Sequence, residues 1–318
     1  MEIRIGHRQG AAAPLPCRGK ATGRRSSGNG VRGGVTILFT LLFLLLTGCS
    51  DEDQPTIADT PQPLSFTISE APWQQEHVNI TRSDASMLEG LKESSLGFGV
   101  YSTIFWLTNQ KVTWDGTNQR WNYGYTLLWP QEHTEADMLA YAPYSASTIY
   151  SNGKISYMAD NTTDLLWGEM SRKGYEVSFK FHHALSKLSF GTITNNSGKD
   201  LVLKSIKLEG ESGTGLYTSG DLSLANGTWS NLSGSSEETI NLSPNISIAS
   251  DAATKTADMK NGASSIERLL IPGPTVKVTL SFTYDGDDLT AAFDVPLTQA
   301  VHTTVNVTIK KNFEVVIE

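Results

Sequence analysis

The sequence predicts an all-β fold of two tandem β-sandwich domains, and three observations support this prediction. Apolar and polar residues alternate over many short stretches, which is the period of a half-buried strand. Clear examples are residues 64–68, 176–181 and 276–282. Asp-Gly turns at 115–116 and 285–286 separate such stretches and are typical of hairpins. Helical periodicity is confined to two short stretches, 86–92 and 183–187.

The amino-terminal stretch has the pattern of a secretory leader. Residues 35–46 are almost wholly apolar and follow a group of arginines. A positive region before a short apolar run is typical of a signal peptide, and the run is too short to cross a hydrocarbon core of about 30 Å. We interpret residues 1–48 as a signal peptide, in which the part before Val31 or Val35 is a doubtful upstream extension.

The leader ends at a cysteine. Residues 46–49, LTGC, resemble the lipobox of bacterial lipoproteins, in which the cysteine carries lipid and becomes the amino terminus. We predict lipidation of Cys49; a core cysteine after a buried helix is the alternative. The acidic residues 50–53 are similar to the surface-export signal of Bacteroidetes lipoproteins, with a solvated linker as the alternative. Residues 49–62 are interpreted as an acidic, Pro-rich tether.

Composition excludes some classes of function. The chain has 25 basic and 33 acidic residues. Seven of the basic residues and one acidic residue lie within 1–48, so the remainder carries a net charge of −14. That charge argues against a nucleic-acid-binding protein, which needs a basic face. The only two cysteines are Cys17 and Cys49, so the mature chain has no pair for a disulfide.

Two domains are expected after the tether. We predict an N-terminal β-sandwich over 63–173 and a C-terminal β-sandwich over 174–318. The boundary is placed at Gly174 because turn residues there lead into a new strand. Residues 210–265 are rich in Ser, Gly, Asn and Thr and are expected to form long exposed loops between sparse strands.

No catalytic constellation is recognisable, and we predict no catalytic residue, metal site or cofactor. HExxH, GxSxG and P-loop motifs are absent from the sequence. His182 and His183 are adjacent, and neighbours on a strand point to opposite faces, so one buried and one outward histidine are expected. Asp285, Asp287 and Asp288 favour a hairpin turn over a calcium site, because the spacing of an EF-hand loop is missing.

Aromatic residues leave a carbohydrate-binding function open. Trp114, Trp121 and Trp129 lie in strand-like stretches, where packing in the core is the commoner fate. An exposed aromatic platform in the 210–265 loops would favour glycan binding. That region contains only Tyr217 and Trp229 as aromatic residues.

Seven short motifs follow one another along the chain. They lie at 63–66 (PLSF), 81–82 (TR), 97–100 (GFGV), 121–130 (WNYGYTLLWP), 139–143 (LAYAP), 181–188 (FHHALSKL) and 269–272 (LLIP). Their order and spacing over 63–310 resemble the fimbrillin-like family of Bacteroidales, the lipoprotein precursors of fimbrial subunits. Gly273 replaces the glutamine that usually ends the last motif.

The resemblance implies transthyretin-like β-sandwich domains, no catalysis, and assembly into fimbriae or an adhesive stalk. In related fimbrillins an arginine-specific protease removes the first strand of the surface lipoprotein. A strand of a neighbouring subunit then fills the groove by β-strand addition. Arg82 is the predicted cleavage site; an ordinary surface arginine is the alternative, and Arg120 is a rival inside a hairpin.

The carboxy terminus has the clearest alternation in the chain. The odd positions of 305–317 are apolar except for Lys311, and the run exceeds the usual strand of about five or six residues. We predict that 305–309 completes the chain's own sheet, and that Phe313, Val315 and Ile317 form a donor strand for the next subunit. The alternative is one long, bent strand folded onto its own domain.

The expected partners follow from the resemblance. They are fimbrial subunits of the same or a related kind, outer-membrane lipid through Cys49, and a host or bacterial surface ligand. The expected location is the outer surface of the outer membrane, or the fimbrium. The alternative function is a surface glycan-binding lipoprotein that does not polymerise. A secreted hydrolase is a third class, for which no constellation is recognisable.

Overall fold

The computed structural model describes residues 62–75, 87–93, 95–129, 137–210, 215–250, 255–273, 275–311 and 314–317. All of them lie in the compact unit Pro55–Glu318. The predicted signal peptide, Cys49, Arg82 and Phe313 lie outside the described residues. Among the described residues no helix is both long and apolar enough to cross a membrane.

Among the described residues nearly all of the regular secondary structure is strand, which confirms the all-β prediction. The elements are β1 (Ser65–Glu70), β2 (Gln74–Gln75), α1 (Met87–Glu93), β3 (Phe98–Ser102), β4 (Leu107–Asp115), β5 (Arg120–Asn122), β6 (Met138–Ala142), β7 (Ile149–Ser151), β8 (Lys154–Met158), β9 (Leu166–Lys173), β10 (Glu176–His183), β11 (Ser186–Asn196), β12 (Leu201–Gly210), β13 (Ser219–Ser223), β14 (Trp229–Ser233), β15 (Glu237–Ile248), β16 (Thr256–Asp258), β17 (Lys260–Asn261), β18 (Ser264–Leu270), β19 (Val276–Tyr284), β20 (Asp287–Val295), β21 (Val301–Lys310) and β22 (Val315–Ile317).

The short-range predictions have mixed outcomes. The turn at 115–116 joins β4 to β5, with Trp114 opposite Trp121, and the turn at 285–286 joins β19 to β20, so both hairpins are confirmed. A helix forms at Met87–Glu93, as predicted. The second predicted helical turn, 183–187, is wrong, because the chain passes there from β10 directly into β11.

The first sheet has seven strands in the order β1-β10-β9-β6-β3-β4-β5. Every pairing is antiparallel except that of β1 with β10, which is parallel. The two ends of the sheet approach each other, because Leu64 donates its backbone N–H to the carbonyl of Leu127 at 2.8 Å and Trp129 donates to Gln62 at 3.2 Å. Its core is aromatic and includes Phe98 and Phe179, both fully buried.

A sandwich follows in the second half of the chain. One sheet has the order β17-β18-β11-β21-β2, with β16 on β11 and β22 on β21; the other has the order β15-β12-β19-β20. Residues of both sheets share one hydrophobic cluster, which includes Leu188, Ile193, Leu203, Leu280 and Val305. Alternating burial along β19 and β21 produces this shared core.

A small fourth sheet combines strands that are distant in sequence. Its order is β14-β13-β8-β7, so a hairpin at 149–158 pairs with a hairpin at 219–233. A separate cluster of apolar side chains supports it, including Ile155, Leu185 and Leu222. The 210–265 region therefore contains more strand than the long loops between sparse strands that we expected.

The two large cores follow one another along the chain. The first contains residues from Leu64 to Phe181, and the second contains residues from Leu188 to Ile309. Gly174 lies in the turn between the paired strands β9 and β10, so the sheet continues past it. The division into domains at 174 and the transthyretin-like topology stay predictions.

Candidate functional site

The amino-terminal segment 62–75 is an edge element that contributes to the first core. Leu64 and Phe66 are buried, and Ile68 packs against the same cluster. The ring of Phe66 lies 5.5 Å from that of Tyr123, 6.0 Å from Phe179 and 6.1 Å from Phe98. Alternate positions of β1 therefore fill an aromatic groove, while the positions between them face solvent.

Backbone hydrogen bonds hold this segment along two sheets in turn. β1 pairs with β10 along its whole length: Ser65 lies opposite Glu176 at one end, and Glu70 lies opposite Phe181 at the other. Ala71 then donates its backbone N–H to the carbonyl of Phe181 at 2.7 Å. Gln74 then donates to the carbonyl of Ala300 at 2.8 Å, and β2 pairs with β21. One continuous stretch therefore covers the edge of both β10 and β21.

A polar cluster fixes the middle of the segment. The His183 side chain is 2% exposed, and its Nδ1 lies 2.7 Å from Oδ2 of Asp164. Its ring stacks on Trp73 at 3.8 Å between centroids. The Glu70 carboxylate accepts hydrogen bonds from the backbone N–H groups of Met87 and Leu88, at the start of α1. Trp73 and Glu70 thereby tie the segment to both β10 and α1.

The polar cluster is incompletely satisfied. Nε2 of His183 is 3.5 Å from Oε1 of Glu70, and among the described residues neither Nε2 nor Oδ1 of Asp164 has a hydrogen-bond partner. Buried groups without partners cost free energy. These two atoms therefore reduce the stabilisation that the cluster gives to the segment.

Burial raises the pKa of the Asp164 carboxyl, against an opposing hydrogen bond from His183. A carboxyl whose pKa is higher in the folded than in the unfolded chain binds protons more readily when folded. Its contribution to stability is full below the unfolded pKa and is lost as the pH rises through the folded pKa.

The carboxy terminus folds back onto its own chain in this structure. β22 pairs antiparallel with β21, so that Ile317 lies opposite Val307 and Val315 lies opposite Ile309. β11 pairs along the other side of β21, so β2 and β22 occupy opposite ends of one β21 edge. The tail therefore docks on its own domain, as the alternative to a donor strand has it, although as a hairpin and not as one long bent strand.

The docking of the tail is shallow. Among the described residues, β22 pairs with β21 at three positions, Lys310 donates its N–H to the carbonyl of Glu314 at 3.0 Å, and Val315 packs against the second core. Val315 and Val316 are half-buried and Ile317 is 40% exposed. The donor role of Phe313, Val315 and Ile317 stays a prediction.

The other residues that the sequence singled out are structural. His183 is buried and His182 faces outward, 2.9 Å from Glu169, as predicted. Trp121 and Trp129 are buried, and Trp114 packs against the same core, also as predicted. Asp285 and Asp288 contact lysines, Asp288 at 2.6 Å from Lys204. Within the described ranges, no group of three or more His, Cys, Asp or Glu could hold a metal ion.

Comparisons with known proteins agree with this architecture. A family model described as fimbrillin-like matches residues 94–318. A fimbrial protein from Bacteroides vulgatus has 18% identity over 80% of this chain and 97% of its own, with a TM-score of 0.53. A fimbrial protein from Bacteroides ovatus has 10% identity over 80% of this chain and 50% of its own, with a TM-score of 0.39. The likeness to the Bacteroides vulgatus protein supports the fold alone. No curated protein matches the sequence.

Replacing Asp164 by Ala is expected to lower the free energy of unfolding by about 1–3 kcal/mol, because it leaves His183 Nδ1 buried without a partner. Denaturant titration measures the loss. The control Asp294→Ala, at an exposed position of β20, should change stability by no more than about 0.5 kcal/mol. Equal effects of the two variants would contradict a structural role for the cluster, and Asp164→Asn should retain most of the stability.

Proposed function

Because the chain belongs to the fimbrillin-like family, we propose that it is a structural or adhesive subunit of fimbriae that assembles by β-strand addition. The family indicates a structural rather than an enzymatic protein, at the cell surface or in the fimbrium. The finer proposal is a lipoprotein that Cys49 anchors in the outer membrane before assembly. The alternative, a surface glycan-binding lipoprotein that does not polymerise, predicts no multimers.

One observation supports strand addition above the others: the single segment 62–75 fills the groove of the first sheet. If residues 62–75 were removed from the sheet, β10 would lose its strand partner on that edge. The rings of Phe98, Tyr123 and Phe179 would lose their contacts with the ring of Phe66. An exposed apolar sheet edge is a ready template for a strand from another chain. The same departure would remove β2 from β21, so both edges would open together.

The proposed donor has the pattern that such a groove requires. β1 and the residue before it supply Leu64, Phe66 and Ile68 at alternate positions. The tail supplies Phe313, Val315 and Ile317 at the same spacing. In strand addition main-chain hydrogen bonds give affinity, and alternate side chains in pockets give specificity. Three apolar side chains of the tail could therefore replace the three of the amino-terminal segment.

The tail is also the terminus that can be released at the lower cost. It has three residue pairs with β21, whereas β1 has six with β10. Ile317 gains little from its present position because it is 40% exposed. Full burial of a side chain of this size stabilises by roughly 1.5–3 kcal/mol, which a groove in the next subunit could supply.

Cleavage after Arg82 would separate β1 and β2 from the remainder of the chain, because both lie before it in the sequence. Mass spectrometry of amino-terminal peptides should find lipidated Cys49 in the precursor and Ser83 in assembled material. Arg82→Ala should retain the precursor and reduce multimers, whereas Arg120→Ala, at an exposed hairpin position, should assemble normally. Assembled subunits that begin at Cys49 would contradict cleavage at Arg82.

The lipid anchor has its own test. Replacing Cys49 by Ala should abolish labelling of the chain with a palmitate analogue, and undiminished labelling of this variant would contradict the anchor.

Removing residues 312–318 is expected to leave a chain that folds and reaches the surface but forms no ladder of crosslinked multimers. The double variant Val315→Asp, Ile317→Asp should have the same effect, since it places charges on the face that would enter the groove. Val316→Asp is the matched control on the opposite face and should assemble. Multimers that persist after the deletion, or a truncated chain that unfolds, would instead indicate that the tail serves its own domain.

A further inference from the structure

Trp106 is an aromatic side chain that the fold leaves unusually exposed. It is 90% exposed, and its backbone has a φ of +54°, which bulky residues rarely adopt. The turn that holds it includes a hydrogen bond from its N–H to the carbonyl of Thr103 at 3.4 Å. Burial of a large apolar side chain is favourable, so neither packing nor backbone preference explains this position.

A cavity of about 640 Å³ opens beside this tryptophan, a volume within the range of small-molecule sites. Its apolar wall includes Leu107, Met138, Met170 and Leu224. Tyr150 lies on the rim, 37% exposed, and stacks on Tyr101 with ring centroids 4.0 Å apart. We call this cavity, with Trp106 and Tyr150 on its rim, the aromatic cleft.

Polar groups in the aromatic cleft are held in fixed positions. The Asp137 carboxylate accepts hydrogen bonds from the hydroxyls of Ser102 and Thr103. The Glu169 carboxylate, on β9, lies 2.9 Å from Nε2 of His182, on the neighbouring strand β10. The Tyr101 side chain is 4% exposed, and among the described residues its hydroxyl has no hydrogen-bond partner. The two carboxylates could accept hydrogen bonds from a hydroxyl-rich ligand.

The charge of the cleft limits the chemistry of its ligand. Among the described residues that line it, the charged ones are Asp137 and Glu169, and none is Lys, Arg or His. Two carboxylates repel phosphates, sulfates and acidic sugars. A ligand with an apolar ring face and several neutral hydroxyls fits an indole face beside fixed carboxylates.

We propose that the aromatic cleft binds a neutral saccharide, with one sugar ring on the face of Trp106 and its hydroxyl groups hydrogen-bonded to Asp137 and Glu169. This site goes beyond assembly, because the groove that β1 fills has none of these residues. It also differs from the loop platform considered in the sequence. Trp229 is half-buried there and donates its Nε1–H to the carbonyl of Ala184 at 2.8 Å.

Calorimetric titration of the full, detergent-solubilised chain tests the site. The probes are neutral trisaccharides of glucose, galactose, mannose and N-acetylglucosamine, with trigalacturonate as the acidic counterpart. At least one neutral probe should bind, and trigalacturonate should not. Trp106→Ala should weaken binding about tenfold or more, because it removes the ring face, while Trp106→Phe should retain most of it. Ile149→Ala, at an exposed neighbouring position, is the control and should leave binding unchanged.

Three results would overturn the proposal. They are the absence of binding by every neutral probe at millimolar concentration, equal binding of trigalacturonate, and unchanged binding by Trp106→Ala. Multimer ladders of the same variants separate this site from assembly. Loss of multimers in Trp106→Ala without any saccharide binding would identify the cleft as a contact between subunits. Normal saccharide binding by a chain that never assembles would support the cleft and contradict only the fimbrial proposal.

Discussion

Closure of the first sheet by β1 is the interaction on which the rest of this structure depends. The strand lies between β10, with which it pairs in parallel, and the segment after β5, where the Tyr123 hydroxyl donates to the carbonyl of Leu64 at 2.8 Å. Phe66 completes the aromatic core from this position. Because one edge strand supplies both hydrogen bonds and core side chains, the sheet needs an occupant in that place, whether from its own chain or from another.

Segment 62–75 and β22 lie along the same β21 edge, and because segment 62–75 also pairs with β10, its release would affect both sheets. The amino-terminal segment crosses from β10 to β21, with Trp73 stacked on His183 between them. The carboxy-terminal β22 occupies the other end of that edge with three pairs. Release of the first segment would open a long groove, whereas release of the second would leave a small exposed patch. The difference favours the tail as donor and the amino-terminal groove as acceptor.

Local patterns in the sequence predicted much of the fold, but they could not predict which strands pair when those strands are distant in the sequence. Alternation and Asp-Gly turns identified the β4–β5 and β19–β20 hairpins, because a hairpin is specified by neighbouring residues. No local signal could show that the hairpin at 149–158 pairs with the one at 219–233. The partner of His183 was also missed, because Asp164 lies just before β9 and meets His183 only at the end of the β9–β10 hairpin that is farthest from its turn. The sequence around Trp106 has no pattern that predicts its exposure, which arises from the positive φ of its turn.

A disulfide lock on β1 tests most directly whether this strand must leave for assembly. The hydroxyl oxygens of Thr67 and Ser178 are 2.6 Å apart across β1 and β10, so the double variant Thr67→Cys, Ser178→Cys can join the two strands. The matched pair Ser219→Cys, Ser233→Cys, with hydroxyls 2.8 Å apart across β13 and β14, controls for the crosslink itself. The account predicts that the oxidised β1 lock reaches the surface without forming multimers, that reductant restores them, and that the control assembles in both states. Multimers of the oxidised β1 lock in normal yield would contradict strand exchange.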